Sequence, residues 1–178
     1  MQGSLGDEAA TARALRNGWL DTGDLGFHAG GELFVHGRAR DLVIVRGANH
    51  APEEFESALA GIEGLRPGCA VALGFVPPEG DGEELLVLAE RVRGARKAGD
   101  ALERAVRAAV LSRTGVEPHT IGFLEPGTLP RTSSGKMRRA EALRRFLAGT
   151  LLPPRKVNAL SLAREVIRSG MASARSRR

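Results

Sequence analysis

A chain of 178 residues with 42% apolar and 26% charged side chains suffices for one ordinary soluble domain with extensions, or a small domain joined to part of another. No run approaches the roughly 20 apolar residues that span a bilayer, and Met1 is followed by neither a basic start nor a continuous apolar stretch, so neither membrane insertion nor a secretory leader is expected and a cytoplasmic home is. The net charge of +5 is uneven, with 13 Lys+Arg against 19 Asp+Glu in residues 1–130 and 13 against 2 in residues 131–178, which together with few aromatics for base stacking argues against a nucleic-acid-binding face.

Along the chain, "WLDTGDLGFHAGGELFVH" (residues 19–36) alternates apolar and polar around a glycine turn and predicts two short strands. A lone hairpin is not stable in water without a larger surface to cover it, so residues 1–37 read as the end of something else. Next, Leu42 to Val45 predicts an extended stretch, Gly47 a turn, and Pro52 the start of a helix with Glu53 and Glu54 in its first turn and Phe55, Leu59 and Ile62 as its buried stripe. "CAVALGFV" and "EELLVLAERV" are β-rich runs separated by the turn cluster "PPEGDG", and they are expected to pair as neighbours. Cys69, in the first of them, reads as a buried structural thiol.

"DALERAVRAAVLSRTG" predicts a helix with Asp100 as N-cap, Glu103 as its capping-box partner, Leu102, Val106 and Val110 on one face, and Gly115 past its end. "TIGFL" is a further strand. "RRAEALRRFLAG" is a short amphipathic helix with Leu143, Phe146 and Leu147 on its apolar side and Gly149 as its stop. "LLPPRK" breaks the chain, and residues 156–178 are expected to form one more helix with a frayed end. The sum is an α+β fold: a small, mostly antiparallel sheet covered by helices and preceded by the hairpin.

The segment "LPRTSSGKMRR", Leu129 to Arg139, raises the functional question. Gly-Lys endings occur in phosphate-binding loops because glycine lets backbone N–H groups approach an anion and lysine adds charge. A Walker loop is excluded here, since its first glycine would fall at Pro130 and Met137 replaces the magnesium-binding hydroxyl. Lys136 therefore needs another role.

Three stretches together resemble the last third of the adenylate-forming superfamily, which includes acyl-CoA synthetases and fatty acyl-AMP ligases. "WLDTGDLG" is similar to the family's T-G-D motif, "GRARDLVIVRGANHAPEEFE" to its G-R-x-x-D hinge motif and following loop, and "LPRTSSGKMRR" to its terminal P-x-T-x-S-G-K motif. Order and spacing agree from about Gly18 to Gly149, and "VRGANHAPEEFE" is most like the fatty acyl-AMP ligases.

The resemblance implies a two-step reaction in which a carboxylate, a fatty acid by preference, attacks the α-phosphate of Mg-ATP, and a pantetheine thiol then takes the acyl group. Lys136 would bridge carboxylate and phosphate oxygens on a flexible loop, placing positive charge where two anions meet. Asp24 would accept from the ribose hydroxyls; Arg38 would contact the ribose or phosphate region, or else pair with Asp41 as a surface arginine. Arg40 and Asp41 fall at the hinge, where Arg40 departs from the family's usual Asp or Lys. Gly47, Asn49 and His50 fall on the loop lining the thiol path. His50 reads as a hydrogen-bonding loop residue ahead of a general base, because no partner carboxylate stands at a readable position. The remaining histidines show no metal-ligand spacing, so no metal site is expected in the chain itself.

The implied organisation is the end of a large N-terminal domain in residues 1–37, a hinge at 38–41, a mobile C-terminal domain at 42–150 and a basic tail at 151–178. ATP and Mg2+ would be bound mainly by the N-terminal domain of the same enzyme, whose phosphate loop is not in this sequence, so the chain alone is expected to be inactive. The expected acceptor is an acyl carrier protein or CoA. The alternative is a stand-alone, non-catalytic module that docks on a carrier protein or partner synthetase, with the basic stretch from Arg131 steering an acidic partner.

Overall fold

The computed structural model describes residues 6–94 and 99–153. A short helix, α1 (Glu8–Ala14), opens on Asp7, whose carboxylate accepts the Ala10 N–H at 2.7 Å, and runs into two paired short strands, β1 (Leu15–Arg16) and β2 (Trp19–Leu20). The hairpin follows as β3 (Asp24–Ala29) and β4 (Glu32–Arg38), turned by Gly30 and Gly31 at φ 59° and 84°. Two successive positive-φ residues give the two-residue turn that matches strand twist, and glycine adopts it without a Cβ clash. Strand structure was expected from residue 19 as one hairpin; Trp19 and Leu20 instead pair back onto β1.

Little covers this hairpin. Phe27 and Phe34 are cross-strand partners with stacked rings 5.3 Å apart, yet both are exposed. Leu33 and Val35, which flank Phe34 and so point to the opposite face, are more exposed still. Both faces of the ribbon are apolar and open.

A 3-10 turn at Ala39–Asp41 leads to β5 (Val43–Val45), which pairs antiparallel with β6 (Ala48–His50) around Arg46 and Gly47, both at positive φ. Sequence reading gives the glycine turn but not β6, because Ala-Asn-His carries no strand pattern. Helix α2 (Pro52–Ala58) has Pro52 at its first position as expected. It is shorter than its apolar stripe suggests: Leu59 caps it, and Ile62 lies in the turn beyond, partly buried on the core.

Strands β7 (Leu65–Phe75) and β8 (Glu84–Arg91) pair antiparallel, helix α3 (Gly99–Thr114) crosses over, and β9 (Thr120–Leu124) joins β8 in parallel. Antiparallel pairing therefore dominates, as expected, with one parallel edge that the α3 crossover makes possible. Asp100 is not the N-cap of α3, since the helix already includes Gly99, and the Glu103 carboxylate accepts from Arg107 at 2.9 Å. Helix α4 (Arg139–Leu147) closes the described fold, with Gly149 at φ 64° past its end.

The central strand shows why the fold has three layers. In β8, Leu85, Val87 and Ala89 join Phe55 of α2 and Leu102, Val106 and Val110 of α3 in one core, while Leu86 and Leu88 join Val71, Leu73, Leu129 and Ala142 of α4 in another. A strand covered on both faces reads as a continuous apolar run, which is what "LLVLA" is. On α4 Glu141 and Ala142 are buried and Leu143 and Phe146 pack on the sheet as expected, whereas Leu147, also assigned to the apolar side from sequence, is 61% exposed. Cys69 is buried as expected. The helix expected within residues 156–178, and most of the tail at 151–178, lie outside the described residues.

Candidate functional site

Lys136 sits on a hairpin closed by an antiparallel bridge between Arg131 and Met137. Within it the Gly135 N–H donates to the Thr132 carbonyl at 2.9 Å, and Thr132 and Lys136 exchange two further bonds, Thr132 N–H to the Lys136 carbonyl at 2.8 Å and Lys136 N–H to Thr132 Oγ1 at 3.0 Å. Gly135 at φ 85° takes the turn position a side chain would strain. The backbone is thereby committed, but the Lys136 ammonium is exposed and has no hydrogen bond or ion pair among the described residues.

Three side chains tie this hairpin to the body. The Glu90 carboxylate, 1% exposed, accepts the Leu129 N–H at 2.9 Å and pairs with Arg66. The Arg131 guanidinium donates to the Gly135 and Gly68 carbonyls, each at 2.9 Å, and lies 3.2 Å from Cys69 Sγ. Arg139 reaches back from α4 to α2, bonding Glu56 and Glu53 at 2.9 Å, with Asp41 3.8 Å away. Burial disfavours the Arg139 charge, but the hydrogen bond and charge of Glu56, with Glu53 and Asp41 behind it, more than offset that and raise its pKa above the ordinary value. Glu141, a buried residue of α4, accepts from Arg145 at 2.7 Å and pairs with Arg144; the Arg145 bond leads in holding its carboxyl below the usual carboxylate range.

Asp24 and Arg38 stand opposite each other at the open end of the β3–β4 hairpin, with Oδ1 to Nε 3.3 Å. Arg38 therefore pairs with Asp24 and not with Asp41, which turns toward Arg139 instead. Arg40 extends over Gly23, where an added Cβ would lie 3.9 Å from its guanidinium. The turn holding Arg40 and Asp41 thus touches both sides, the T-G-D segment through Arg40 and the α2–α4 junction through Asp41. Lys136 makes no hydrogen bond or ion pair with any of these residues.

Gly47 and Asn49 are exposed in the β5–β6 turn, and His50 ends β6 half-buried against Phe55, ring centroids 5.3 Å apart. The carboxylate that sequence reading did not find for His50 is Glu54, whose Oε2 lies 3.4 Å from Nδ1. Its other oxygen lies 3.3 Å from His36 Nε2 on β4 and accepts the Ala51 N–H at 3.3 Å.

Sequence reading missed Glu90, Arg131, Arg139 and Glu54. Two had a signal: Glu54 stands four residues after His50 at a helix entry, and Glu90 ends an apolar run at the parity of the inward-facing Leu86 and Leu88. Arg131 and Arg139 act across 63 and 83 residues of sequence, which no local pattern encodes. Among the described residues no group of His, Cys, Asp and Glu could hold a metal ion, and no helix is long and apolar enough to cross a membrane.

No family model matches the chain. A Caulobacter vibrioides protein provisionally named an acyl-CoA synthetase is 41% identical over 144 residues, 79% of this chain and 24% of that protein. A structure from work on fatty acyl-adenylate ligases of E. coli and L. pneumophila superposes with TM-score 0.67 at 35% identity, covering 84% of this chain and 26% of that one. McyG A-PCP complexed with phenylalanyl-adenylate superposes with TM-score 0.74 at 26% identity, over 83% and 27%. The chain spans about a quarter of the length of the curated relatives it matches.

Proposed function

The chain belongs to the adenylate-forming superfamily of acyl-CoA synthetases and fatty acyl-AMP ligases, and on that premise we propose that it is the C-terminal portion of an ATP-dependent ligase that activates a carboxylic acid, by preference a fatty acid, and passes it to a pantetheine thiol. The observation that carries this reading is Lys136: an exposed, unpaired ammonium on a hairpin whose backbone at Thr132, Gly135 and Lys136 is hydrogen-bonded. An unpaired charge held out by a rigid support is arranged for a ligand that another body supplies.

In the first half-reaction a carboxylate oxygen attacks the α-phosphorus of ATP and pyrophosphate leaves. Two anions must approach, and the Lys136 ammonium placed between them stabilises the charge that gathers in the transition state. Asp24, its carboxylate already oriented by Arg38, accepts from the ribose hydroxyls, and Arg38 keeps donors free for the ribose or phosphate region. ATP and Mg2+ are held mainly by an N-terminal domain, of which residues 1–37 are the end. The two open apolar faces of the β3–β4 hairpin support that division.

Because Glu90, Arg131 and Arg139 pin the lysine hairpin, Lys136 arrives and leaves by rotation of residues 42–150 as a body about the hinge at 38–41, and not by flexing of its loop. The same rotation brings Gly47, Asn49 and His50 to the thiol of CoA or an acyl carrier protein. ATP–pyrophosphate exchange with a fatty acid tests the reading. The chain alone should show none, and the chain joined to the adenylate-binding domain of a relative should show it. Exchange by the chain alone, or none from the joined protein, overturns it.

A further inference from the structure

His50 closes β6 at the junction with α2, and Glu54 stands in the first turn of that helix, so the four-residue spacing carries a carboxylate back under the imidazole. The ring is held by two neighbours. Its side chain is 17% exposed, it packs on the fully buried Phe55, and Nδ1 meets Glu54 Oε2 at 3.4 Å. Glu54 is fixed in turn, its other oxygen accepting the Ala51 N–H and facing His36 Nε2 from β4. The tautomer that donates Nδ1–H to the Glu54 carboxylate leaves the lone pair on Nε2. Among the described residues Nε2 has no partner. A base whose far nitrogen is oriented by a carboxylate is the arrangement that activates a weak nucleophile.

Resting on the reading above that a thiol takes the acyl group beside β6, we propose that His50 is the proton acceptor for that thiol and Glu54 its positioning residue. A free thiol of pKa about 8.5 is only a few per cent thiolate at neutral pH, and the thiolate is the nucleophile. The S–H proton passes to His50 Nε2 as sulfur bonds the acyl carbonyl carbon. The C–O bond to the adenylate phosphate breaks, AMP leaves with that electron pair, and the imidazolium releases its proton to water. Sequence reading set this role aside for want of a carboxylate, and the fold supplies one.

The test uses the complete ligase, wild type and His50→Gln, His50→Ala and Glu54→Gln variants, with pantetheine as the thiol. For each, thioester formation is measured against pH and divided by ATP–pyrophosphate exchange. The ratio should fall about 100-fold for His50→Gln at neutral pH, the scale of a lost general base, and less for Glu54→Gln. The deficit should narrow above pH ~8.5, where the thiol ionises unaided, and added imidazole should restore part of the His50→Ala rate. A deficit that is flat with pH and not rescued, or equal losses in both half-reactions, overturns the proposal. Wild-type enzyme that fails to exchange pyrophosphate overturns the ligase reading itself, whereas normal exchange with undiminished thioester formation in His50→Gln overturns only the role of His50.

Discussion

The Arg139 guanidinium lies 2.9 Å from the Glu56 carboxylate, joining the helix that follows the lysine hairpin to the helix that follows β6. Glu53 and Asp41 share the same guanidinium, so one side chain ties α4, α2 and the hinge turn together. The lysine hairpin and the β5–β6 turn are therefore joined through one ion-pair cluster, and in the function proposed above they would move together.

Arg139→Ala leaves three carboxylates facing one another without their cation. Both members of the central pair are about four-fifths buried, which places the cost between that of an exposed pair and that of a buried one, at about 2 kcal/mol. For a domain of this size the thermal midpoint should drop by about 4–8 °C. Arg139→Lys keeps the charge but not the planar fork that reaches Glu53 and Glu56 together, and should lose roughly half as much. Thermal unfolding by circular dichroism decides this, and unchanged midpoints would show the cluster to be ornamental to stability.

Glu90 is a sharper case because its carboxylate is buried and holds the first residue of the lysine hairpin. Glu90→Ala strands the buried Leu129 N–H, while Arg66, 40% exposed, can turn to water, so the loss should be about 2–3 kcal/mol. Glu90→Gln retains an acceptor for Leu129 and should cost less, about 1–2 kcal/mol. Amide hydrogen exchange at Leu129 should speed up in both variants, more in the alanine one. Slow exchange there in Glu90→Ala would place the anchor elsewhere.

Sequence periodicity reached most of the sheet and its helices because burial on both faces leaves long apolar runs and the turns carry glycine. It failed where geometry depends on what meets what. Leu147 is four residues from Leu143 but stays exposed, while its neighbour Phe146 packs on the sheet. Asp100 has the composition of a cap but sits inside the helix. In the candidate site, motif order located Asp24, Arg38, Arg40, Asp41, Gly47, Asn49, His50 and Lys136. The pairings among them and their supports, Asp24 with Arg38 and Glu54 with His50, come from folding, as does the stiffness of the lysine hairpin.

Acidification should weaken the ion pairs that Glu141 makes on α4. The Glu141 carboxyl is held below its ordinary value of 4.5, chiefly by the Arg145 hydrogen bond. A depressed folded-state value means that the ionised form stabilises the fold above the unfolded carboxyl's range, and that this contribution is lost as pH falls through the folded value. Glu141→Gln should therefore be less stable than wild type at neutral pH. The gap should shrink steadily below pH 4.5. Thermal midpoints of the two proteins measured from pH 7 down to about pH 3 give the comparison directly, and a gap that stays constant with pH would assign the effect of Glu141 to packing and not to charge.

The most direct prediction concerns Lys136. Its side chain is exposed and unpaired, so Lys136→Ala should change the stability of the chain by less than about 0.5 kcal/mol. In the complete ligase the same substitution removes charge that matters only when carboxylate and α-phosphate meet. ATP–pyrophosphate exchange should then fall by about 100- to 1,000-fold, the cost of deleting one preorganised stabiliser of transition-state charge. The loss should sit in kcat and leave the KM for the acid nearly unchanged, because the interaction is realised in the transition state. Arg131→Ala should give a smaller loss of the same kind, since Lys136 keeps its charge while the Gly135 carbonyl beside it is released from the sheet. If Lys136→Ala retained most of the exchange activity, or if it raised KM with kcat intact, Lys136 would be a binding residue at most, and the charge between the two anions would have to come from another group.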